Sequence, residues 1–562
     1  MANDTNYNRV EVLIVGGGPA GLACAIWLKM LRPQTDVCVI EKGATPGNHN
    51  LSGAVLEKEP IHTLLDAASP GWRDTDQAKE VLANKIDKDD VLFLLGKRLG
   101  FNIHIAIRLA KLFGLGFGQM MHFGDYVVSI SKLTKWLEQV AKSLGVEVLC
   151  GFAAADVVVD DTGAAAVKLV DQGLDKEGRR QPNYLQGETI EAKFVVLAEG
   201  CDGLLTEKFV EKAGLKRRAN QLYSVGVKEL IKVTPEQYAK FTAGGSTSLT
   251  TGRVIHAMGY PLWTPAIGPA MFGGGIVYAG QPEHLAVGMI VGADWKYFDF
   301  NPQDALTLFK QHRLVKRFIE GGTVVEAGAK MIPEGGWYAV PRDPVSGSIG
   351  KGNCLIVGDS AGFVNMLKIK GLHNAIDSGM QAAKAIADTI ETPQQSAVRY
   401  TGLILKSNVA GEMKRAATFR QTVAKFGPLL GMPLSALGTL LPAFNVEKDY
   451  ESLAVMPYRL KPSRDFDKST FTAAAATSHR EEQPCHLTIL DSNVCQTKCV
   501  PKFAGPCITF CPAGVYETVQ GQVRPANPSN CLHCKTCQRK CPFDNIRWTC
   551  PEGAGGPRYK RM

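Results

Sequence analysis

The sequence predicts an α/β fold, α+β overall, with a Rossmann-type dinucleotide-binding domain at the N terminus and a small cysteine-rich domain at the C terminus. Two observations predict it. An apolar strand pattern over residues 10–15 runs into Gly16-Gly17-Gly18-Pro19-Ala20-Gly21 and then a helical pattern, while ten of the fifteen cysteines gather between Cys485 and Cys550. At 562 residues the chain exceeds one hydrophobic core and divides into two to four domains. Apolar content of 45% and charged content of 21% are globular values, which exclude a disordered or collagen-like chain.

Each part of the N-terminal motif has a mechanical reason. Gly16 permits the tight turn, Gly18 lets the backbone approach a pyrophosphate, and Gly21, after Ala20, lets helix and strand pack closely. The phosphate then sits at the helix N terminus, where unpaired N–H groups and the dipole favour an anion. Glu41 closes the next apolar strand, residues 37–40, twenty residues beyond Gly21. A carboxylate there accepts hydrogen bonds from an adenosine ribose, with Lys42 beside it.

Far downstream, Cys354-Leu355-Ile356-Val357 is again a strand pattern and ends in Gly358-Asp359 before a helix. In glutathione-reductase-type flavoproteins an aspartate at that place holds the ribityl chain, so the pair selects FAD over NAD. Taken alone, Asp359 reads equally as a helix N-cap. Residues 194–203 resemble the connecting segment of the same superfamily and add Gly200 to the expected flavin contacts.

The tail carries a second kind of cofactor. Cys531-Leu-His-Cys534-Lys-Thr-Cys537-Gln-Arg-Lys-Cys541-Pro542 has the bacterial ferredoxin spacing for a 4Fe-4S cluster, in which the fourth cysteine serves the other cluster of a two-cluster protein. Upstream stand Cys495, Cys499, Cys507 and Cys511, and Cys511-Pro512 repeats the cysteine-proline ending. Exchange of the fourth ligand groups Cys511, Cys531, Cys534 and Cys537 around one cluster, and Cys495, Cys499, Cys507 and Cys541 around a second. The alternative for the second set is packed, reduced thiols beside a single cluster. A zinc ribbon would call for two separated CxxC pairs. Cys24, Cys38, Cys150, Cys201 and Cys354 lie in apolar stretches and read as core.

Net charge is +9, and from Cys485 onward ten Lys and Arg face four Asp and Glu. These cations interleave with the cysteines, where they would offset the charge of a thiolate-bound cluster or simply form a solvated basic face; no nucleic-acid module accompanies them, so nucleic acid is not expected as a partner. The first nine residues are polar and lead into the first strand, a pattern without a signal or transit peptide. Residues 426–444 are uncharged and nearly a membrane span in length, yet Pro428, Pro433 and Pro442 would break a helix crossing lipid. Residues 112–121 form another uncharged patch. With Arg108, Lys111, Lys414, Arg415, Arg420 and Lys425 ahead of them, the two stretches read either as a surface lying on one leaflet or as buried core or a dimer interface.

Together with residues 124–129, Phe272-Gly273-Gly274, residues 291–294, Lys368-Ile369-Lys370-Gly371, residues 511–516 and Pro551-Glu552-Gly553, these motifs resemble the electron-transfer flavoprotein–ubiquinone oxidoreductase family and its Fix-type relatives over nearly the whole chain. The resemblance implies a glutathione-reductase-type FAD-binding Rossmann domain in three pieces, residues 1–90, 122–220 and 330–390. An interleaved β-rich quinone- and membrane-binding domain would take residues 91–121 and 221–329, a helical, apolar membrane-associated segment residues 391–470, and a ferredoxin-like iron–sulfur domain residues 471–562. It also implies a monotopic membrane enzyme that accepts electrons from reduced electron-transfer flavoprotein and passes them through iron–sulfur and FAD centres to ubiquinone or menaquinone. Its place would be the cytoplasmic face of a bacterial inner membrane, or the matrix face of a mitochondrial one. By motif match, Gly273 and Gly274 correspond to the family's backbone contact to the quinone head group, and Cys511, Cys531, Cys534 and Cys537 to its cluster ligands.

No side chain is expected to dominate the chemistry; His122, His256 and His373 are candidates for carrying protons near the quinone, the alternative for each being a structural histidine. Familiar single-cluster members have Asp-Pro where this chain has Cys541-Pro542 and lack the full upstream cysteine set. The chain therefore resembles a fusion of that flavoprotein with the separate ferredoxin of Fix-type systems. Two other readings share these features. One is a lipid-reducing flavoenzyme of the geranylgeranyl-reductase type, against which the cysteine tail and the Pro-Glu-Gly ending speak. The other is an electron-relay subunit of a Fix-type flavin complex.

Overall fold

The computed structural model describes residues 8–562 apart from residues 54, 113–119, 243–250, 266, 436–441 and 464–465. In its first sheet Cys354–Ile356, Thr189–Leu197, Asn8–Val15, Val37–Glu41 and Glu147–Cys150 lie side by side in that order and run parallel. Residues 12–15, 37–40 and 194–197 are all buried. Cover on both faces of a parallel sheet is why these strands read as continuous apolar runs rather than alternating ones. The helices Pro19–Leu31 and Leu372–Asp388 pack together on it. The Cβ that Gly379 lacks would fall 2.2 Å from the Ala20 carbonyl oxygen, so this approach requires glycine.

Register sets the site. Val15 pairs with both Ile40 and Leu197, and Leu197 pairs with Ile356, so four strands end at one level. The chain leaves those ends as Gly16, Glu41, Ala198 and Val357-Gly358. Motifs far apart in sequence thereby open onto one crevice at the carboxyl edge, where α/β sheets take their ligands.

The second sheet runs in the order Thr323–Pro333, Tyr223–Lys232, His284–Gly292, Gly273–Ala279, Thr251–Gly259, Asn84–Leu94, Tyr126–Val127 and Val55–Leu56. Its neighbours are antiparallel except where Thr251–Gly259 runs parallel to Asn84–Leu94. Val55–Leu56, Asn84–Leu94 and Tyr126–Val127 fall between strands of the first sheet in sequence, so the two sheets interleave along the chain.

The cysteine-rich domain has two short antiparallel ladders, Leu487–Ile489 with Ile546–Trp548 and Tyr516–Val519 with Gln522–Pro525, plus short helices that carry cysteines. The following segment threads back through the molecule. Tyr559 is fully buried; its N–H donates to the Asn48 carbonyl and its hydroxyl accepts from the Ala329 N–H.

Two helices present apolar side chains to solvent. His104–Leu112 exposes Ile105, Leu109 and Leu112, and Phe419–Leu434 exposes Phe426, Leu429, Leu430 and Leu434. The second kinks at Gly427, whose φ is +74°, because the residue before Pro428 is driven out of the helical region. Residues 113–119 and 436–441 of the two uncharged stretches lie outside the described residues. No described helix is long and apolar enough to cross a membrane.

Candidate functional site

A cavity of about 270 Å³ opens at the common strand edge. Gly16, Gly18, Ala20, Glu41, Lys42, Gly200 and Asp359 line it, while Gly21 and Gly358 do not. A Cβ on Gly21 would lie 2.1 Å from the Gly16 carbonyl oxygen, so this glycine serves the packing of helix on turn. Gly18 differs, because the nearest atom its Cβ would meet is Asn50 Nδ2 at 4.0 Å. The cradle in front of it is open. The helix Pro19–Leu31 begins without a side-chain cap, as does Leu372–Asp388, whose Gly371 and Leu372 also line the cavity. Free N–H groups of two helices therefore face the same space.

The carboxylate of Glu41 is fixed by hydrogen bonds accepted from the Gly17 N–H at 2.9 Å and the Gly43 N–H at 2.7 Å. Burial raises the Asp359 pKa to about 6, with Lys330 opposing the rise. Lys330 is itself pushed down to about 8, first by burial and then by Lys42 and Lys535. All three lysines are on the cavity wall. An open glycine cradle, two uncapped helix starts and a lysine-lined wall fit the pyrophosphate of FAD.

A second cavity, of about 120 Å³, adjoins the first and shares Ile276, Ile290, Met366 and Ile369 with it. Gly273, Gly274 and His256 line it, with an otherwise apolar wall that includes Phe93, Met120, Trp263 and Phe272. Pro428, Leu429 and Met432 of the kinked helix also line it, which joins the cavity to the exposed apolar surface. Cβ atoms on Gly273 and Gly274 would lie 2.0 and 2.2 Å from the carbonyl oxygens of Ile290 and Ala257. Bare backbone is required on this strand, and bare backbone faces the cavity.

Behind His256 is a buried polar group. His122 stacks on His256 with ring centroids 4.7 Å apart. Asp89 Oδ2 accepts from the His122 N–H at 2.7 Å and lies 3.0 Å from its Nδ1, while His122 Nε2 lies 3.1 Å from the Lys368 carbonyl oxygen. Asp89 Oδ1 and His256 Nδ1 are 3.9 Å apart and neither has a hydrogen-bond partner. Burial drives the His122 pKa down to about 4. Burial also pushes Asp89 upward, but the two imidazoles outweigh it and hold Asp89 well below the usual carboxylate range. His373 lines neither cavity and contacts Glu412 at 2.9 Å instead.

The ten cysteines of the tail are all free, and eight of them, all but Cys485 and Cys550, fall into two sets. Cys531, Cys534 and Cys537 each lie within electrostatic reach of Cys511. Hydrogen bonds reach three of these sulfurs: from the Val515 N–H to Cys511 at 3.5 Å, from the His533 N–H to Cys531 at 3.4 Å and from Thr536 Oγ1 to Cys534 at 3.4 Å. Burial drives the thiols of Cys531, Cys534 and Cys537 upward, and metal coordination is what would keep such sulfurs deprotonated. This donor set fits a 4Fe-4S cluster. Lys535, Trp548 and Cys550 extend from the same domain onto the flavin cavity wall, with Lys535 Nζ 4.7 Å from the Trp548 ring centroid. Cys495, Cys499, Cys507 and Cys541 form the other set.

Asp89, Lys330 and Lys535 were not marked by sequence reasoning. Asp89 follows Asp87 and Lys88 and precedes Asp90, which reads as a solvated run. The two lysines reach the flavin cavity from other sheets and domains, where only a hydrophilic residue inside an apolar strand, as in Ala329-Lys330-Met331, gave a local signal.

Residues 9–242 match a family model described as FAD binding domain, residues 223–332 one described as ETF-QO, ubiquinone-binding, and residues 463–560 one described as electron transfer flavoprotein-ubiquinone oxidoreductase, 4Fe-4S. A mitochondrial electron transfer flavoprotein-ubiquinone oxidoreductase of Oryza sativa is 33% identical, over 98% of this chain and 93% of that one. The protein of that name from Pseudomonas aeruginosa is 32% identical over 100% of both chains. Among solved structures, a geranylgeranyl bacteriochlorophyll reductase-like protein of Thermoplasma acidophilum is similar with a TM-score of 0.53 at 19% identity, over 78% of this chain and 93% of that one. A flavin-dependent brominase gives 0.51 at 16% identity, over 76% and 90%. At such identities the two structures bear on the fold alone.

Proposed function

Because the chain belongs to the electron transfer flavoprotein–ubiquinone oxidoreductase family, we propose that it takes electrons from reduced electron transfer flavoprotein and delivers them to ubiquinone from a position on one leaflet of a membrane. It is an oxidoreductase of FAD, a 4Fe-4S cluster and quinone. When bound, the cluster carries one electron at a time and FAD one or two, which reconciles single-electron delivery with the two electrons and two protons that quinol formation consumes.

The chain's own residues bind, orient and supply protons. The uncapped helix starts and the Gly18 cradle hold the dinucleotide, and the domain contact through Lys535 and Trp548 keeps the cluster ligands beside it. Gly273 and Gly274 offer backbone groups to a quinone head in the second cavity, whose apolar wall excludes water. His256 gives a proton to the quinone oxygen. Asp89, with one oxygen unpartnered toward His256 and the other against His122, draws the replacement proton inward.

The observation that carries this reading is the junction of the two cavities, with the second running from the flavin cavity to the exposed apolar surface at Leu429. Turnover of reduced electron transfer flavoprotein with a short-chain ubiquinone tests it. His256→Phe should slow quinol formation at least about a hundredfold, the lower end of the usual range for a lost acid–base group, while electron transfer flavoprotein still reduces the enzyme at the wild-type rate. Equal loss of both half-reactions would remove His256 from the proton path, and absence of quinone turnover in the wild type would remove the function itself.

A further inference from the structure

We propose that Cys495, Cys499, Cys507 and Cys541 hold a second 4Fe-4S cluster, on the solvent side of the first. The argument starts from an internal repeat at an interval of thirty residues. The five-residue helices Pro506–Phe510 and Thr536–Lys540 each carry a cysteine at their second position, Cys507 and Cys537. Each follows a left-handed residue, Gly505 with φ +65° and Lys535 with φ +60°. Each ends in a cysteine before proline, Cys511 at φ −65° and ψ 120° and Cys541 at φ −64° and ψ 115°. A left-handed residue comes again at Gly514 and Asp544, with φ +61° and +48°. The next N–H then turns back onto the cysteine sulfur, Val515 onto Cys511 at 3.5 Å and Asn545 onto Cys541 at 3.3 Å.

The two halves exchange their last sulfur. Cys511 closes the set of Cys531, Cys534 and Cys537, whereas Cys541 joins the other half. The Asn545 side chain donates to Cys495 at 3.4 Å while its backbone N–H donates to Cys541, so one residue ties those two sulfurs together. Cys499 lies within electrostatic reach of Cys495 and Cys541, and Cys507 within reach of all three. All four are buried and none forms a disulfide. Among the described residues, the groups of three or more ligand atoms within 4.8 Å of one another consist of imidazoles and carboxylates, with no cysteine among them. Sulfurs on one tetrahedral zinc would lie about 3.8 Å apart, given Zn–S bonds of about 2.3 Å, so the wider spread favours a multi-iron cluster.

Exposure orders the two sites. Residues 531–537 are all buried, and Lys535 on that loop reaches the flavin cavity. Around the other set, residues 496–498 and 500–502 are exposed. An electron entering there would pass from a one-electron donor to the second cluster and on to the first, with no bond made or broken and no proton moved.

Metal content decides the matter independently of quinone turnover. Protein purified without air and reconstituted with ferrous iron and sulfide should contain about eight irons and eight sulfides per chain, as two four-iron clusters require. Cys541→Ala and Cys499→Ser should each retain about four irons, one cluster's worth, with FAD content unchanged. The electron paramagnetic resonance spectrum of the reduced wild type should show two interacting spins, and that of either variant a single isolated one. The proposal is overturned if the wild type stops at about four irons, if zinc replaces iron in the second set, or if both variants keep the wild-type iron content and spectrum. Should one variant not accumulate as folded flavoprotein, the wild-type count and the other variant still decide.

Discussion

Arg539 pairs with Asp202 across the contact between the cysteine-rich domain and the flavin cavity, and Lys535 donates to the carbonyl of the same aspartate. The Asp202 side chain is only 1% exposed. Burial raises its pKa, yet Arg539 and Lys535 outweigh the effect and keep it low. Removing Arg539 leaves a buried carboxylate with one cation fewer, a change that costs about 3 kcal/mol when a buried pair is broken. Arg539→Ala should therefore speed hydrogen exchange across residues 531–541 while FAD remains bound. Unchanged exchange there would mean that the two domains are held together by other contacts.

Gly18→Val should give folded protein that does not retain FAD. At Gly18 φ is −82°, which valine tolerates, and the space before its missing Cβ is open, so the new side chain intrudes on the ligand rather than on the protein. Flavin absorbance after gel filtration, beside an unchanged far-ultraviolet circular dichroism spectrum, checks this. Full FAD content would show that the cradle is not where the pyrophosphate sits.

Asp359→Asn should stabilise the flavin-free protein above pH 6. The folded pKa of about 6 lies above the ordinary 3.8, so the contribution of this carboxyl is present in full below about pH 3.8 and is lost as pH rises through 6. The loss amounts to about 3 kcal/mol at about 1.4 kcal/mol per pKa unit, and the asparagine variant does not suffer it. Thermal unfolding of the two flavin-free proteins should diverge between pH 4 and pH 7 and coincide below. Flavin binding should weaken in the variant, and parallel unfolding curves at every pH would refute the assignment of strain to this carboxyl.

Leu429→Asp combined with Leu430→Asp should move the protein from the membrane fraction toward the soluble one. The two leucines are 52% and 67% exposed, so charge there costs the fold little, whereas an apolar face against lipid loses its anchor. Activity with a long-chain quinone should fall more than activity with a short-chain one. Unaltered partition between vesicles and buffer would leave the exposed face without a membrane role.

The sequence carried local chemistry well and spatial assembly poorly. Strand, glycines, helix and Glu41 occur within a few turns of one another, so backbone geometry alone makes them legible. The cysteine sets were legible because their spacing encodes which sulfurs can share a turn. The lysine wall was not, since Lys42, Lys330 and Lys535 meet only after two sheets and a third domain have docked. His122 and His256 were visible as single histidines of uncertain use. Their pairing through Asp89 depends on Thr251–Gly259 running parallel to Asn84–Leu94, a non-local register that no window of sequence contains.

The cysteines of both sets are equally buried, but Cys495 and Cys499 sit among the exposed residues 496–498 and 500–502, and on the two-cluster proposal this implies a history-dependent composition. Oxygen would enter through that exposed loop before it penetrated the wholly buried run 531–537. If the second set holds a cluster as proposed, a preparation handled in air would shed that outer metal first and keep an intact flavin beside the inner centre.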